Sequence, residues 1–495
     1  MDNMLGYVET LSALFILLLG LGVLSIIYMY IVDKTQNKQA IRRNYPVIGR
    51  FRYFFEKQGE FFRQYFFAMD REELPFNRAE RSWVYRAAKN VDRTLAFGST
   101  RNLEPIGTIM FMNCAFPTLE EDAVPASSIT FGRQCRKPYI TDSIFNISAM
   151  SFGALSAPAI KALSDGAAKA GCWLNTGEGG VSEHHLASGA DIVYQIGTAK
   201  YGVRDEHGQL CDKMLAALAA MPQIKMFEIK MSQGAKPGKG GILPGKKVTE
   251  EIALIRGIPI GVDSISPNAH PEIKSVKDIL TMVNRVRKVT GKPVGFKAVI
   301  GESLWLRDLL EEINRQGREY APDFITIDSA DGGTGAAPQP LMDYVGLPLK
   351  ESLPLVVNLL VEYGLRDQIR IICAGKLITP SKVAWALAMG ADAVNSARGF
   401  MFSLGCIQAM QCNKDTCPTG ITTHDPRLQQ GLDPVSKAVR VANYHKYILY
   451  GVGLLAHSCG VSQARGLDRH HVRVIQDNGL SIALDKLHPY NETKH

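Results

Sequence analysis

The stretch "DFITIDSADGGTGAAP", Asp323 to Pro338, places a short apolar run directly before a polar, glycine-rich loop. A run of this length and composition is typical of a β-strand that is buried on both faces. The same order of apolar run, polar loop and helical pattern recurs roughly eight times over about 300 residues, from about residue 130 onward. This repetition predicts an α/β fold, a (β/α)8 TIM barrel, rather than a doubly wound sheet.

The 495-residue chain has an ordinary globular composition, with 46% apolar and 21% charged residues. Its formal charge is +8, but the basic residues are spread along the chain and form no tract interleaved with aromatic residues. We therefore expect no nucleic-acid partner. Nine cysteines, clustered only between residues 406 and 417, do not resemble the paired framework of a small secreted domain, which indicates a reducing compartment.

The N-terminal region contains an uncharged apolar run from Leu11 to Val32. As a helix, its roughly 22 residues span about 33 Å, enough for a hydrocarbon core of about 30 Å. A cleavable signal peptide would have a shorter apolar core that ends at a small-residue cleavage site. Acidic Asp2 and Glu9 precede the run, and basic residues follow it at Lys34, Lys38, Arg42, Arg43, Arg50 and Arg52. The positive-inside rule then predicts that residues 1–33 anchor the chain in a membrane, with the rest in the cytoplasm.

Residues 34–100 form a basic and aromatic segment, which we expect to be a helical extension. Between residues 51 and 90, phenylalanine, tyrosine and arginine recur at helix-like spacing. Two interpretations stay open: a helix on the membrane surface, or an arm that packs on the barrel. We place the barrel at residues 101–465 and a C-terminal tail at residues 466–495, without a second independent catalytic domain.

Three loops in succession have the features of a phosphate site. Gly332, Gly333 and Gly335 allow a close approach of the backbone to a ligand. "CAGKL" (373–377) and "NSARGF" (395–400) follow the next two apolar runs, and Arg398 adds a positive charge there. Barrels most often bind phosphate at the loops after the seventh and eighth strands.

A second set of loops indicates an anionic substrate. "NTGEGG" (175–180) exposes Glu178 between glycines, and lysines cluster between Lys230 and Lys247. The run from Gly240 to Lys247 resembles a Walker motif only superficially, because a lysine replaces the Ser or Thr that binds magnesium. Lys297 lies alone in the apolar run "VGFKAVIG", so it meets an anion or a polarised ring, or reaches solvent at the end of the strand.

The stretch "GCIQAMQCNKDTCPTG" (405–420) brings together Cys406, Cys412 and Cys417. By themselves, three clustered cysteines are compatible with metal binding, cross-linking, a nucleophile or core packing.

Read together, the loops resemble a known set. Over about residues 100–460, the resemblance is to the flavin-binding synthase domain of the glutamate synthases. Its motifs are "AMSFGALS", "NTGEGG", "IKMSQGAKPGKGG", "DGGTGAAP", "GLRDQIRIICAGKL" and "LGCIQAMQCNKDTCPTG". The resemblance implies a barrel that binds FMN and reduces 2-oxoglutarate plus ammonia, through 2-iminoglutarate, to L-glutamate.

The resemblance also implies roles for individual residues. Cys406, Cys412 and Cys417 would hold a 3Fe-4S cluster. From the residues themselves, Cys373 or Cys459 could supply a fourth ligand, and a zinc site would need His424. Lys236, Glu178 and Arg256 fall on the 2-oxoglutarate positions, and with Lys297 they form the predicted catalytic set. The flavin would contact Ala149, Met150, Ser151, Gly153, Gln233 and Lys297, and its phosphate would contact Gly332, Gly333, Gly335, Gly375, Ala397 and Arg398.

Two positions depart from the family pattern. Ile242 stands where a glutamine is common, and "SPNAHPE" (266–272) replaces "SPPPHHD". Two alternatives therefore stay open: a flavin oxidoreductase for another 2-oxo acid, imine or amine, and a non-catalytic, membrane-tethered electron-transfer subunit. The sequence has no N-terminal cysteine nucleophile and no dinucleotide-binding fingerprint. We expect free ammonia or a glutaminase partner, and electrons from ferredoxin or a separate reductase.

Overall fold

The computed structural model describes residues 2–92 and 94–490. The chain divides into two compact units, Met1–Ala79 and Glu80–His495. We describe each unit by itself.

The first unit is helical. Its helices are Asp2–Thr35, Ala40–Asn44 and Gly49–Phe62, followed by a π-helical turn, Arg63–Phe67. The segment Gly6–Thr35 is long and apolar enough to cross a membrane, with a mean hydropathy of 2.5 and none of its most apolar window buried. The fully buried Asp33 carboxylate accepts hydrogen bonds from Arg42 Nε (2.8 Å), Arg50 Nε (2.8 Å) and the Val47 amide (3.0 Å). These bonds fix the turn between the first helix and the third.

The second unit is built around a closed barrel of eight parallel strands. In chain order, each strand pairs with the next, and the last pairs with the first. The strands are β1 (Phe145–Ile147), β2 (Leu174–Asn175), β3 (Ile192–Ile196), β4 (Ile224–Lys230), β5 (Val294–Val299), β6 (Phe324–Asp328), β7 (Arg370–Ala374) and β8 (Ala393–Ser396). The predicted (β/α)8 fold is confirmed.

Helices connect the strands and cover the barrel wall. They are Ala157–Ala170, Glu183–Leu186, Asp212–Ala220, Glu250–Arg256, Val276–Thr290, Leu304–Gln316, Gln339–Tyr344, Leu349–Glu362, Pro380–Met389, Arg398–Leu404, Pro426–Gln429 and Pro434–Ser458. Helix Ala157–Ala170 begins where the Ser156 hydroxyl accepts a hydrogen bond from the Ala159 amide at 3.3 Å. It packs closely on helix Pro434–Ser458, since a Cβ at Gly166 would lie 2.4 Å from Val441 Cβ.

A hairpin closes the amino end of the barrel. Its strands, Ile129–Phe131 and Tyr139–Thr141, pair antiparallel. The buried Phe131 ring meets Trp173 and Phe324 edge-on, with centroids 5.7 and 5.8 Å apart, at the starts of β2 and β6. Ligands therefore have to enter from the carboxyl end.

A buried carboxylate, Glu228, occupies the barrel interior. It accepts hydrogen bonds from Asn175 Nδ2 (2.8 Å), Gln195 Nε2 (2.7 Å) and Thr326 Oγ1 (2.6 Å). These donors come from three other strands, so the network ties the wall together and compensates the burial of the charge.

Smaller elements surround the barrel. Helix Arg78–Ala88 precedes it in the chain, and Ile242–Leu243 pairs antiparallel with Ser264–Ile265. The region expected to be a C-terminal tail contains the strands Val472–Ile475 and Ser481–Ala483 and the helix Leu484–Leu487. These two strands form an antiparallel sheet with Ile109–Phe111.

Candidate active site

The predicted ligand-binding residues gather at one end of the barrel. The predicted flavin, phosphate and substrate residues lie at or just beyond the carboxyl end of a strand, except Lys297, which lies within β5, and Arg256, which ends helix Glu250–Arg256. In parallel barrels this end carries the active site.

A chain of hydrogen bonds links three of the strand ends. Lys230 Nζ donates to Glu178 Oε1 at 2.7 Å and to Gln233 Oε1 at 2.9 Å. Gln233 Nε2 in turn donates to the Gly333 carbonyl at 3.1 Å. Lys230 was absent from the predicted site residues, although its place at the end of an apolar run was a usable signal.

Two glycines make room for the Glu178 side chain. A Cβ at Gly197 would lie 2.5 Å from Glu178 Cβ, and one at Gly241 would lie 2.3 Å from Glu178 Oε1. Burial raises the pKa of Glu178, but the charges of Lys230, Lys236 and Arg256 outweigh burial and hold the pKa below its usual value. The carboxylate is therefore ionised at neutral pH.

Two buried cations lie close enough to Glu178 to influence its charge. The Lys236 side chain is 6% exposed and, within the part of the chain that the structure describes, makes no hydrogen bond or ion pair. Burial, reinforced by the neighbouring charge of Lys230, lowers the pKa of Lys236 to about 8. Its ammonium retains its hydrogen-bond donors for an anionic ligand.

Arg256 is held in place by a short helix. Helix Glu250–Arg256 begins at Thr249, whose hydroxyl accepts from the Ile252 amide at 3.4 Å, and this places Arg256 on the last turn. Its Nη1 donates to Ser264 Oγ at 3.0 Å and its Nη2 to the Phe152 carbonyl at 3.2 Å. Among the described residues, its buried Nε has no acceptor. An oriented guanidinium with a spare donor suits a carboxylate.

The Lys297 ammonium contacts a carboxylate, and contact with an anion is one of the alternatives that the sequence predicts. Its ammonium lies 3.1 Å from Asp328 Oδ2 on the adjacent strand β6, and that oxygen also accepts from the Gly234 amide at 3.0 Å. Burial lowers the pKa of Lys297, but Asp328 and Glu228 outweigh burial and raise it above its usual value. Lys297 is therefore a fixed positive charge, and Asp328 is a site residue that the sequence prediction missed.

The glycine loops after β6 and β7 form a cradle. A Cβ at Gly333 would lie 2.7 Å from Arg398 Nε, and one at Gly375, whose φ is +155°, would lie 2.3 Å from Ser329 Cβ. Any side chain at these positions would push Arg398 or Ser329 aside. Gly335, by contrast, faces open space. A cradle of backbone beside the half-buried Arg398 fits a phosphate group.

The cysteine loop follows β8 and helix Arg398–Leu404. Cys417 is buried, while Cys406 and Cys412 are partly buried. Burial raises the pKa of Cys417, but hydrogen bonds to its sulfur, among them the one with the Thr419 hydroxyl at 3.3 Å, outweigh burial and lower the pKa. Burial also raises the pKa of Cys406, to about 12, and the charges of the other two thiols add to that rise.

In the part of the chain that the structure describes, the three thiols do not form a close group of the kind that holds a single ion. Among the described residues, no group of three potential ligand atoms lying within 4.8 Å of one another includes these thiols. A single metal ion needs its ligands that close together, whereas a cluster binds each thiolate at a different iron atom.

The other candidate ligands are engaged elsewhere. Cys373 is fully buried in β7. Cys459 lies beside Cys114; burial raises the pKa of Cys459, and the charge of Cys114 adds to that rise. His424 Nε2 forms a hydrogen bond with the Gly153 carbonyl at 2.8 Å.

The fold and the site together define a class of protein. The carboxyl end of a (β/α)8 barrel gathers the half-buried carboxylate of Glu178, the cations Lys230, Lys236 and Arg256, and a glycine-lined cradle. This arrangement is typical of the active site of a barrel enzyme, and its cations suit an anionic ligand.

Comparison with known proteins narrows this class. Residues 106–462 match the family model described as the conserved region in glutamate synthase. The chain is 39% identical over 516 residues to the glutamate synthase large subunit-like protein YerD of Bacillus subtilis (strain 168), covering 96% of this chain and 98% of that protein. It is 36% identical over 318 residues to the archaeal-type glutamate synthase [NADPH] of Thermotoga sp. (strain RQ2), covering 62% of this chain and 59% of that protein.

The chain belongs to the glutamate synthase family. It is an oxidoreductase of the glutamate synthase type, and the predicted family and enzyme class are confirmed. Among solved structures, a mutant flavocytochrome b2 with pyruvate bound covers 79% of this chain and 82% of its own length, with 14% identity and a TM-score of 0.44. That likeness is too distant to inform the function.

Proposed function

We propose that the protein makes L-glutamate from 2-oxoglutarate and ammonia, through 2-iminoglutarate, with FMN and a 3Fe-4S cluster as cofactors. The observation that carries the proposal is the pair of buried cations with unused donors, Lys236 and Arg256, beside the ionised Glu178. A dicarboxylate needs two cations, and burial strengthens each contact.

Each residue of the site has a proposed part in the reaction. Lys236 and Arg256 would bind the two carboxylates of 2-oxoglutarate and fix the orientation of its carbonyl carbon. Lys230 holds Glu178 through Oε1 at 2.7 Å. Glu178 Oε2 would take a proton from the attacking ammonia and return one to the carbonyl-derived oxygen, which leaves as water when the imine forms. Bound FMN would supply the hydride that reduces the imine. Burial of these side chains limits the access of water to the imine.

The cofactor residues are those that the family resemblance implies. Ala149, Met150, Ser151, Gly153, Gln233 and Lys297 would contact the flavin, and Gly332, Gly333, Gly335, Gly375, Ala397 and Arg398 its phosphate. Cys406, Cys412 and Cys417 would hold the cluster. Ferredoxin or a separate reductase would deliver electrons, and ammonia would be free or come from a glutaminase partner.

The first unit would tether the enzyme to a membrane, with the barrel in the cytoplasm. The helix Gly49–Phe62 and the turn after it expose an aromatic stripe at helical spacing: Phe51, Phe54, Phe55, Phe61, Phe62, Tyr65 and Phe66. This favours the membrane-surface interpretation of the segment. We keep the division into an anchor (1–33), an extension (34–100), a barrel (101–465) and a tail (466–495). Release of the protein from membranes by alkaline carbonate would contradict the anchor.

Anaerobic turnover tests the proposed reaction. We expect the purified protein to absorb as a flavoprotein. After reduction by dithionite, its flavin should be reoxidised when 2-oxoglutarate and ammonium are added together, with glutamate as the product. A panel of other 2-oxo acids with ammonium is the control. Reoxidation without glutamate, or by another acid only, would contradict the substrate assignment; a flavin that no substrate reoxidises would favour the electron-transfer alternative.

One position favours a second candidate, an enzyme of the same type for a different 2-oxo acid or imine. Ile242 directly follows Gly241, which lies against Glu178, and it supplies an apolar side chain where the family commonly has an amide. If the substrate is 2-oxoglutarate, Ile242→Gln should add a hydrogen bond and lower its Kd about threefold to tenfold. The matched control is Ile265→Gln, on the paired strand, which should leave the Kd unchanged. No gain in I242Q, together with tighter binding of another acid by the unmodified enzyme, would favour the second candidate.

A further inference from the structure

Lys247 is a buried lysine for which the proposed reaction has no use. Its side chain is 1% exposed, in the turn Gly245–Lys247 before helix Glu250–Arg256. In the sequence, Lys247 is the residue that stands where a Walker motif would have Ser or Thr.

The Lys247 ammonium donates to three backbone carbonyls. The acceptors are Ala154 at 3.1 Å, Cys412 at 3.2 Å and Thr422 at 2.8 Å. An ammonium has three donors, so all of them are used.

These carbonyls belong to two different loops. Ala154 directly follows Ala149–Gly153, the segment after β1, whereas Cys412 and Thr422 belong to the cysteine loop and the segment after it. Other bonds join the same two loops farther along: Ser156 Oγ donates to the Gly420 carbonyl at 2.7 Å, and the Ser156 amide donates to the Ile421 carbonyl at 2.9 Å. The bonds of Lys247 differ from the two bonds of Ser156 because one of them reaches the backbone of Cys412, a predicted cluster ligand.

We propose that Lys247 is a positioning residue that holds the cysteine loop against the loop after β1, and so sets the path for electrons from the cluster to the flavin. The proposal rests on the function proposed above. Without the ammonium, three carbonyls at a buried contact lose their donor, and the loops have to separate to hydrate them.

Hydrogen exchange and rapid kinetics on the full-length holoenzyme test this role. In Lys247→Met, amides of residues 406–424 should exchange about tenfold faster or more, because the contact opens more often. Reduction of the flavin through the cluster by reduced ferredoxin should slow by about tenfold, the scale on which small misplacements of reacting groups cost rate. Reoxidation of dithionite-reduced flavin by 2-oxoglutarate and ammonium should stay within about twofold, because that step does not involve the cluster.

The neighbouring lysine supplies the control. Lys246 is exposed, and the bond from its Nζ to the Lys414 carbonyl lies at the surface, where water can replace it, so Lys246→Met should leave the exchange and both rates near those of the unmodified enzyme. If K247M does not fold, Lys247→Gln, which retains amide donors, should give the same changes at smaller size. Unchanged exchange and unchanged flavin reduction in the folded variant would overturn the proposal. Absence of iron from the unmodified protein would instead contradict the proposed cluster. The exchange measurement would still test whether Lys247 holds the two loops together.

Discussion

Replacing Lys236 with methionine should weaken the binding of 2-oxoglutarate by about 10- to 150-fold, since a hydrogen bond to a charged group contributes about 1.5–3 kcal/mol. Lys236 is 6% exposed, and its ammonium makes no hydrogen bond or ion pair in the described part of the chain, so its donors are available to the ligand. The Kd can be measured by titrating the oxidised flavoprotein with 2-oxoglutarate without ammonia and following the flavin spectrum.

The same binding should depend on pH. Burial and the charge of Lys230 lower the pKa of Lys236 to about 8. Below that pH the side chain is a cation that attracts a carboxylate; as the pH rises through about 8, it loses its proton and the Kd increases. Lys236→Arg keeps its charge over the whole range, so its Kd should not rise near pH 8.

Lys239 provides a matched control, because it lies in the same loop but is exposed. Lys239→Met should change the Kd by less than about twofold, as expected for an exposed charge. Equal losses in K236M and K239M would show a general effect of charge on the loop and contradict a direct contact. A Kd that stays constant between pH 7 and 9 would contradict the part assigned to the Lys236 ammonium.

The barrel was predictable because its signal is local and repeated. Each strand is a short apolar run, and each site loop follows one directly, as in "DFITI" followed by "DSADGGTGAAP". Since parallel strands in a barrel end at the same side, the loops that carry Glu178, Lys236 and Arg398 had to converge. The sequence therefore predicted which loops meet at the carboxyl end of the barrel without any knowledge of a contact.

The pairings within the site were not predictable in this way. Glu178 and its partner Lys230 are separated by 52 positions, and the three acceptors of Lys247 lie 93, 165 and 175 positions away. A single sequence shows that a buried lysine needs a partner but not which one, because many strand ends offer an acceptor. The pairing of Ile109–Phe111 with Val472–Ile475 was missed for the same reason: its two strands stand at opposite ends of the barrel sequence.

Replacing Cys412 with serine should remove the cluster while the flavin remains. A thiolate binds iron, whereas a serine hydroxyl keeps its proton at neutral pH and is a poor replacement. The predicted phosphate cradle, which includes Gly333 and Gly375, belongs to the loops after β6 and β7 and contains none of the three cysteines, so the flavin should keep these contacts. We expect the iron content to fall by most of its value and the electron paramagnetic resonance signal of the oxidised protein to disappear, with flavin absorption unchanged.

This variant should lose electron delivery from ferredoxin but keep the reaction of the reduced flavin with substrate. C412S should no longer accept electrons from reduced ferredoxin, yet dithionite should still reduce its flavin, and 2-oxoglutarate with ammonium should still reoxidise it. Cys211→Ser is the matched control, because Cys211 precedes helix Asp212–Ala220 and serine suits that position. C211S should keep its iron and its resonance signal. If the resonance signal survives in C412S, Cys412 is not a cluster ligand. If the unmodified protein contains flavin but no iron, the proposed mechanism has no cluster, and the cysteine loop has a structural role.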